Sequence, residues 1–198
     1  MGKKLKRSFY LRQDTVAIAR DLLGKLLVVR APDGRRVSGM IVETEAYLGV
    51  ADRAAHSYGG RRTPRNEVMY GPPGHVYVFF VYGMYNQFNV VSGPAETPHA
   101  ILIRALGPIE GIELMRKRRH GQPDHNLTNG PGKLCLALGI DRTLDNADLT
   151  GERVWIEDAA KVPPRRIASG PRIGIDYAEE WVDMPWRFWI RGNSYVSR

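Results

Sequence analysis

The sequence predicts an α+β fold whose sheet is mainly antiparallel. Segments with the residue pattern of strands outnumber helical segments, and they follow one another across short turns, as hairpins do. The sequence lacks the regular alternation of strand and helix that would favour a parallel sheet. The chain has 198 residues, 43% of them hydrophobic, which is enough for one domain or a small two-lobed one.

A basic arm is predicted over residues 1–13, ahead of a single domain over residues 14–198. Asp14 is a good N-cap residue and Gly24 a good helix terminator, so the first helix is expected between them. The predicted helices cover residues 15–23 and 108–119, and a short third helix follows the segment 129–131 and ends at Leu138. The second is placed at Pro108 because proline favours the first position of a helix.

Strands are predicted where valine, isoleucine and aromatic residues cluster between turn residues. The segments are 25–30, 37–47, 75–82, 86–92, 100–106, 154–157 and 188–191. Residues 49–73 form a long loop rich in glycine, arginine and proline. A loop of this length in a compact domain usually has a function.

The excess of basic over acidic residues indicates which class of partner the chain suits. The chain has 29 lysine and arginine residues against 21 acidic ones, a formal net charge of +8, and a sequence pI near 9.8. A basic surface of this kind suits a polyanion, either nucleic acid or an acidic membrane surface. The single cysteine excludes an internal disulfide framework and a multi-cysteine zinc site, and the five histidines show no metal-ligand spacing.

The apolar segments are short. The longest, residues 76–82, falls far below the roughly 20 residues that a membrane-spanning helix needs. No apolar stretch follows the basic N-terminus, so no secretory signal is expected. These features predict a soluble intracellular protein.

The strand over residues 40–47 carries the strongest chemical signal. Side chains alternate along a strand, so Glu43, Glu45 and Tyr47 project from one face, with the carboxylates roughly 6.6 Å apart. Paired carboxylates suit general acid or base catalysis, because burial and the neighbouring charge separate their pKa values. The alternative is a solvated edge strand whose charges face water. His56, in the following loop, is near enough in sequence to return to the same face.

Residues 75–85 predict an aromatic hairpin. Both alternate faces of its first strand are apolar, so some of its rings belong to the core. Tyr82, Met84 and Tyr85 lie near the predicted turn, where a core position is less expected. A tip of this composition beside arginine-rich loops suits a wedge between base pairs or a platform for a base. Simple packing of a long hairpin is the alternative.

Four basic residues in or beside loops are candidates for phosphate binding: Arg61, Arg62, Arg65 and Lys133. Lys133 follows Gly-Pro-Gly at a predicted helix start, where backbone N–H groups favour an anion. The spacing does not match that of a nucleotide-binding phosphate loop. For the arginines, a solvated loop is the alternative.

Several motifs, in this order along the chain, resemble one protein family. They cover residues 41–47, 54–57, 59–61, 63–66, 82–85, 102–106, 130–135 and 186–192. Together they are similar to the alkyladenine (3-methyladenine) DNA glycosylases, the alkylpurine type found in eukaryotes and bacteria that lacks a helix-hairpin-helix. The match extends from about residue 19 to residue 196. The resemblance implies a single α+β domain around a curved antiparallel sheet, with peripheral helices and without metal or cofactor.

The resemblance also implies base excision repair. Such enzymes flip a damaged purine out of duplex DNA and hydrolyse its N-glycosidic bond. The implied substrates are alkylated and deaminated purines, namely 3-methyladenine, 7-methylguanine, hypoxanthine and ethenoadenine. The pocket motifs offer no lysine nucleophile, so the expected product is an abasic site without strand cleavage. A monomer on duplex DNA is expected, with no membrane partner, and in a bacterium it would work in the cytoplasm with the nucleoid.

The resemblance assigns roles to individual residues. Glu45 would be the general base that activates water, and Arg104 would help to hold that water, with the backbone carbonyl of Ile173 as a third contact. Tyr82 would fill the gap left by the flipped nucleotide, with Met84 beside it. The implied base pocket consists of Tyr47, His56, Phe79, Asn89 and Ile173.

Two features depart from the family pattern, and two alternative functions remain open. Phe79 stands where the family often has a second pocket tyrosine, and residues 92–99 form a slightly longer segment. One alternative is a DNA- or RNA-binding module without catalysis, although such a module would not need Glu45 and Arg104. The other is a hydrolase of free nucleosides or glycosides that uses Glu43 and Glu45.

Overall fold

The structure, a computed structural model, describes residues 2–81 and 83–197 and confirms the α+β fold. Within these residues one curled antiparallel sheet has eight strands. They are β1 (Leu26–Arg30), β2 (Arg36–Leu48), β3 (Val76–Val81), β4 (Tyr85–Ser92), β5 (His99–Glu110), β6 (Val154–Glu157), β7 (Ile167–Gly170) and β8 (Arg187–Ile190). The helices are α1 (Arg7–Tyr10), α2 (Thr15–Asp21), α3 (Ile112–Arg118) and α4 (Pro131–Leu138). No described helix is both long and apolar enough to cross a membrane.

The sheet order is β3-β4-β5-β2-β1-β6, and β8 pairs with both β2 and β7. Strand β2 therefore lies at the centre, with β5 along one side and β1 and then β8 along the other. Its pairing with β5 is irregular on both sides of Glu43, whereas Glu45 stays in register with Leu102. Strand β2 is therefore not an edge strand over this stretch, and the carboxylates of Glu43 and Glu45 are both buried.

Helices α2 and α4 cover the sheet. The N-cap predicted at Asp14 is confirmed, since its carboxylate accepts the N–H of Ala17 at 2.8 Å. Helix α2 is joined to β2 by the Thr44 hydroxyl, which donates to the carbonyl of Ala19 at 2.9 Å. The main core lies between these layers. Two smaller apolar clusters, one around Tyr77 and Phe79 and the other around Ile175 and Ala178, lie apart from it.

The prediction that a helix begins at Pro108 is wrong for the first turn of that helix. Strand β5 continues through Pro108 to Glu110, and α3 begins only at Ile112. Pro108 is tolerated in the strand because it pairs with Gly39 beside an irregularity in the register, where no ladder N–H is required. Gly111, with φ at 75°, then turns the chain into the helix.

The basic N-terminal segment packs against the domain over its described residues. Leu5 and Tyr10 are buried, and the backbone of Lys4 forms an isolated antiparallel β-bridge with Glu157, the last residue of β6. Arg7 is ion-paired with Asp148 at 2.6 Å.

Candidate active site

A cavity of about 210 Å³ opens between β2, the β3–β4 hairpin, β5 and the loop over residues 171–177. Successive side chains of a strand point to opposite faces of the sheet, and the side chains on one face form the walls of the cavity. Tyr77 and Phe79 pair with Asn89 and Gln87 across the hairpin, so these four side chains face the same side. The remaining polar or aromatic lining residues are Tyr47, His56, Arg104 and Tyr177.

Glu45 lies directly behind this lining and is fully buried. Its Oε2 accepts the Tyr47 hydroxyl at 2.8 Å. Its Oε1 accepts the Ile173 N–H at 2.8 Å and is ion-paired with Nη1 of Arg104 at 3.2 Å. A carboxylate has about four lone-pair directions, so these three donors leave one acceptor direction for a water molecule.

The main chain of Ile173 thus contacts the site through its N–H, whereas the family resemblance implied its carbonyl. The N–H bond fixes the position of the Glu45 carboxylate from the loop side. The side chain of Ile173 is 43% exposed at the rim of the cavity. The carbonyl contact to water stays a prediction.

Tyr47 is held protonated. Burial, and then the adjacent Glu45 carboxylate, raise the pKa of Tyr47 well above its usual value, so its hydroxyl remains a donor to Glu45. The Arg172 guanidinium lies 4.8 Å from the centre of the Tyr47 ring. Arg172 is itself buried and paired with the buried Asp52 at 2.5 Å. The Arg172–Asp52 ion pair therefore holds the Tyr47 ring in position.

Arg104 remains charged although it is 7% exposed. Burial alone would lower the pKa of Arg104, but the Glu45 and Glu43 carboxylates raise it above its usual value. Its Nε donates to Glu43 at 3.1 Å while Nη1 faces Glu45. The guanidinium therefore bridges the two carboxylates that the strand pattern placed on one face, which excludes a solvated edge strand.

His56 is neutral at physiological pH. Burial, and then the charges of Arg65 and Arg61, lower the pKa of His56 to about 4. Its Nδ1 lies 2.7 Å from the Tyr77 hydroxyl. Its ring meets Phe79 edge to face at 4.5 Å between centroids. His56 and Phe79, both placed in the pocket by the family resemblance, form one wall with Tyr77.

Asn89 and Gln87 are the amide side chains of the cavity. Asn89 is 4% exposed, and its Nδ2 donates to the carbonyl of Tyr77 at 3.1 Å, which fixes the orientation of its carboxamide. Gln87 was not predicted as a pocket residue. Gln87 lies two residues before Asn89 on β4, so the two side chains project from the same face of the strand. This spacing was the sequence signal that would have indicated Gln87 as a pocket residue.

The tip of the β3–β4 hairpin is exposed on both sides of its turn. Met84 is 62% exposed and Phe80 is 49% exposed. Tyr82, predicted to enter the DNA, lies outside the described residues, so its insertion stays a prediction. The exposed side chain of Met84 agrees with the expectation that this tip is not part of the core.

The phosphate-binding candidates have different surroundings, and Arg62 is already ion-paired with Glu67 and Glu96. Arg61 is exposed, whereas the Arg65 guanidinium lies 5.3 Å from the centre of the Phe79 ring. Both line a second cavity of about 300 Å³ that shares His56 with the first. Lys133, near the start of α4, is held by the side-chain oxygens of Asn126 at 2.7 Å and Asn129 at 3.0 Å. Arg61 and Arg65 are thus adjacent to the pocket.

Sequence reasoning did not identify the partners that enclose Glu43, nor the Arg172–Asp52 pair. These partners come from distant parts of the chain, and no local pattern marks them. Over residues 2–81 and 83–197, no three histidine, cysteine, aspartate or glutamate side chains come together as metal ligands would.

Comparisons with known proteins agree with the resemblance. The family model described as methylpurine-DNA glycosylase matches residues 8–194. A protein of Desulfitobacterium hafniense (strain Y51) is 51% identical over 203 residues, which cover 98% of each chain. A protein of Clostridium acetobutylicum is 50% identical over 202 residues, 98% of this chain and 97% of its own. One from Bacillus cereus (strain G9842) is 50% identical over 201 residues, 96% of this chain and 97% of its own. All three are provisionally named 3-methyladenine DNA glycosylase.

Proposed function

Because this chain belongs to the methylpurine-DNA glycosylase family, and is thus a DNA repair hydrolase of N-glycosyl bonds, we propose that it excises alkylated and deaminated purines from duplex DNA. The proposed substrates are 3-methyladenine, 7-methylguanine, hypoxanthine and ethenoadenine. The product is an abasic site. The observation that carries the proposal is the buried Glu45, which has one open acceptor direction behind a cavity with aromatic walls.

Glu45 is a better candidate for the general base than Glu43, because the Glu45 carboxylate keeps one free direction in which to accept a hydrogen bond. In the proposed reaction the Glu45 carboxylate takes a proton from water while the water oxygen attacks C1′ of the flipped nucleotide. The N-glycosidic bond breaks, and its electron pair stays on the purine nitrogen. Glu43 already accepts four hydrogen bonds, from Arg104, Arg187 and both the N–H and hydroxyl of Ser197, so it has no acceptor to spare.

The charge at Glu45 also favours bond cleavage. A negative carboxylate stabilises the positive charge that develops on the sugar as the bond to the base lengthens. Alkylation at N3 or N7 makes the purine cationic, so it leaves as a neutral molecule. Arg104, which touches Glu45 and lines the cavity, would hold the attacking water in line with C1′.

The pocket wall supports recognition of a purine. Base stacking on an aromatic ring is worth about 1–3 kcal/mol per base, and Tyr47 and Phe79 both line the cavity. A neutral His56 has one ring donor and one ring acceptor, and Nδ1 is already at the Tyr77 hydroxyl. The other nitrogen would meet the hydrogen-bonding edge of the base. The fixed carboxamide of Asn89 would disfavour guanine by a clash with its 2-amino group. 7-Methylguanine has the same group, but its cationic ring makes it a better leaving group than guanine.

The exposed hairpin and the basic loops would bind duplex DNA. Flipping a base requires a few kcal/mol of unstacking, and least for damaged bases. Tyr82 would fill the gap in the duplex, with Met84 beside it. Arg61, Arg65 and Lys133 would contact phosphates. We propose a monomer that acts on chromosomal DNA, hence in the cytoplasm with the nucleoid in a bacterium such as those of its relatives.

Hydrolysis without strand cleavage is the first prediction. The described lining of the cavity contains no lysine, and a Schiff base requires a desolvated amine. Incubation of the protein with lesion duplex and sodium borohydride should therefore give no covalent adduct. A borohydride-trapped protein–DNA adduct on a denaturing gel would contradict simple hydrolysis.

The second prediction concerns Glu45. A general base contributes about 100- to 10,000-fold, so Glu45→Gln should lower the single-turnover excision rate at least about 100-fold. The substrate is a duplex with one hypoxanthine or ethenoadenine, and the product is read as alkali-dependent cleavage. The amide is isosteric, so the variant should still bind the lesion duplex.

The other outcomes of this experiment separate the alternative functions. Equal rates for wild type and Glu45→Gln would keep the enzyme class but reject Glu45 as the base. Binding without excision by either protein, repeated on methylated DNA, would indicate a DNA-binding module. Activity on free nucleosides but not on duplex DNA would indicate the nucleoside hydrolase.

A further inference from the structure

We propose that Glu43 is a positioning residue that holds Arg104 against Glu45, and that Ser197 and Arg187 hold Glu43 in place. The inference rests on the proposed function, in which Glu45 is the general base. It assigns Glu43 to the reaction without contact with DNA, base or water. Glu43 and Glu45 both lie behind the residues that line the cavity, but the four hydrogen bonds that Glu43 accepts leave it no acceptor for water.

Glu43 is a buried charge whose acceptors are all occupied. It has no exposed surface. Its Oε1 accepts from Nε of Arg104 at 3.1 Å, Nη1 of Arg187 at 3.1 Å and Oγ of Ser197 at 2.9 Å. Its Oε2 accepts the N–H of Ser197 at 2.7 Å. A buried carboxylate is stable only when it is paired and hydrogen-bonded in this way.

These contacts fix the plane of the Arg104 guanidinium. Nε donates to Glu43 at 3.1 Å, Nη2 donates to the Ser197 hydroxyl at 3.2 Å, and Nη1 is then directed at Glu45 at 3.2 Å. The guanidinium is rigid and planar, so fixing two of its nitrogens determines the direction of the third. Glu43 and Ser197 together therefore decide how Arg104 meets the general base.

Glu43 also reaches the other side of Glu45 through Arg187. Arg187 donates to Glu43 with Nη1 and to the carbonyl of Pro171 with Nε at 2.9 Å. Pro171 lies two residues before Ile173, whose N–H donates to Glu45 at 2.8 Å. Two of the three donors on Glu45 are thus linked to the same buried carboxylate.

The irregular strand pairing explains how Glu43 reaches these partners. The register between β2 and β5 shifts on both sides of Glu43, and such irregularities redirect a side chain. On the other edge of β2, Glu43 lies opposite Trp189 and Glu45 opposite Arg187. Strand β8 therefore brings Arg187 alongside both carboxylates.

The test uses Glu43→Gln, with Glu157→Gln as a matched control. Glu157 is also a buried strand glutamate, 3% exposed, hydrogen-bonded to Trp155 and Arg36, but on β6 away from the cavity. A small displacement of a positioned group reduces catalysis up to about 100-fold. We therefore expect Glu43→Gln to slow single-turnover excision about 10- to 100-fold, with the dissociation constant for lesion duplex unchanged. Glu157→Gln should excise at the wild-type rate.

A double-mutant cycle with Arg104→Ala distinguishes positioning from a general loss of structure. If Glu43 acts through Arg104, Glu43→Gln should cause little further loss once Arg104 is absent. If the two effects multiply, or if Glu157→Gln slows excision equally, the inference is overturned. A full rate for Glu43→Gln overturns it while leaving the proposed function intact. An inactive wild-type protein would instead overturn the proposed function.

Ser197 gives a milder variant in case Glu43→Gln does not fold. Ser197→Ala removes the hydroxyl that contacts Glu43 and Arg104 but keeps the N–H on Glu43. It should slow excision several-fold without a change in melting temperature or DNA affinity. Ser197→Thr keeps a hydroxyl and should restore the rate. Equal rates for Ser197→Ala and Ser197→Thr would contradict the inference.

Discussion

Glu43 and Glu45 are separated by one residue on β2, and both are fully buried, yet their hydrogen bonds differ. Glu43 accepts four donors, whereas Glu45 accepts three. With about four lone-pair directions on a carboxylate, only Glu45 keeps an acceptor for water. The number of donors, rather than the residue type, separates the proposed positioning group from the proposed general base.

A second prediction at the scale of single residues concerns how the stability of the fold changes with pH because of His56. The pKa of His56 is lowered from 6.5 to about 4 in the fold. Between these values the unfolded chain binds a proton that the folded chain does not. The free energy of unfolding should therefore decrease as the pH falls from 6.5 towards 4, by at most about 1.4 kcal/mol per pH unit from this residue.

Urea denaturation of wild type and His56→Gln between pH 7.5 and 4.5 measures this contribution. The variant should lose less stability on acidification than wild type does. His125→Gln is the control for removing a histidine, because His125 is exposed and lines neither of the two cavities described above. Parallel stability curves for wild type and His56→Gln would show that His56 does not titrate as expected.

At the scale of elements, the β3–β4 hairpin has two functions. Near its base, Tyr77, Phe79, Gln87 and Asn89 build a wall of the cavity through cross-strand pairing. Near its tip, Met84 is exposed. One rigid element thus joins the pocket to the proposed wedge, which would couple entry of the base to filling of the gap that it leaves.

The hairpin prediction concerns Tyr82. Tyr82→Ala should weaken binding to lesion duplex and to abasic product, because the gap left by the flipped nucleotide is no longer filled. Loss of one stacking contact of about 1–3 kcal/mol corresponds to about fivefold or more in affinity. Fluorescence anisotropy at matched salt measures this.

Phe80→Ala is the matched control for Tyr82→Ala. Phe80 is an exposed ring on the same hairpin, but it alternates with Phe79 and so lies on the face away from the cavity. Its removal should affect affinity less. Unchanged affinity for Tyr82→Ala, or a larger loss for Phe80→Ala, would reject Tyr82 as the wedge.

At the scale of the whole molecule, the net charge of +8 supplies attraction to DNA that does not depend on sequence. The structure shows that many of these cations are already paired. Arg62, for example, is bound to Glu67 and Glu96 at 2.6 Å each. Arg61 lines the second cavity, and within residues 2–81 and 83–197 its guanidinium forms no hydrogen bond or ion pair, so its charge is available to a phosphate.

The corresponding prediction uses salt dependence. Each phosphate contact contributes about 0.9 to the slope of log affinity against log salt. Arg61→Gln should reduce that slope by about 0.9 and weaken binding to damaged and undamaged duplex alike. Arg35→Gln is the control, since it removes the same charge from an exposed turn where Arg35 is paired with Asp33. Equal slopes for Arg61→Gln and Arg35→Gln would indicate that the effect comes from the lost net charge rather than from a contact between Arg61 and a phosphate.

The local pattern of the sequence determined the strands and the face that carries the carboxylates. Alternation along β2 predicted that Glu43, Glu45 and Tyr47 project together, and the hydrogen bond from Tyr47 to Glu45 confirms it. The sequence failed at Pro108, where helix propensity was overridden by pairing with Gly39. Such pairing is a tertiary property that no local preference contains.

Only the tertiary structure decided what each carboxylate can do. The donors that occupy Glu43 come from Arg104, Arg187 and Ser197, which lie 61, 144 and 154 residues away along the chain. The N–H of Ile173 reaches Glu45 across 128 residues. Hydrogen bonds act over about 3 Å in space, whatever the sequence separation. The residue pattern along β2 therefore indicated a pair of carboxylates, the family resemblance implied their chemistry, and the fold left a free acceptor direction on Glu45 rather than on Glu43.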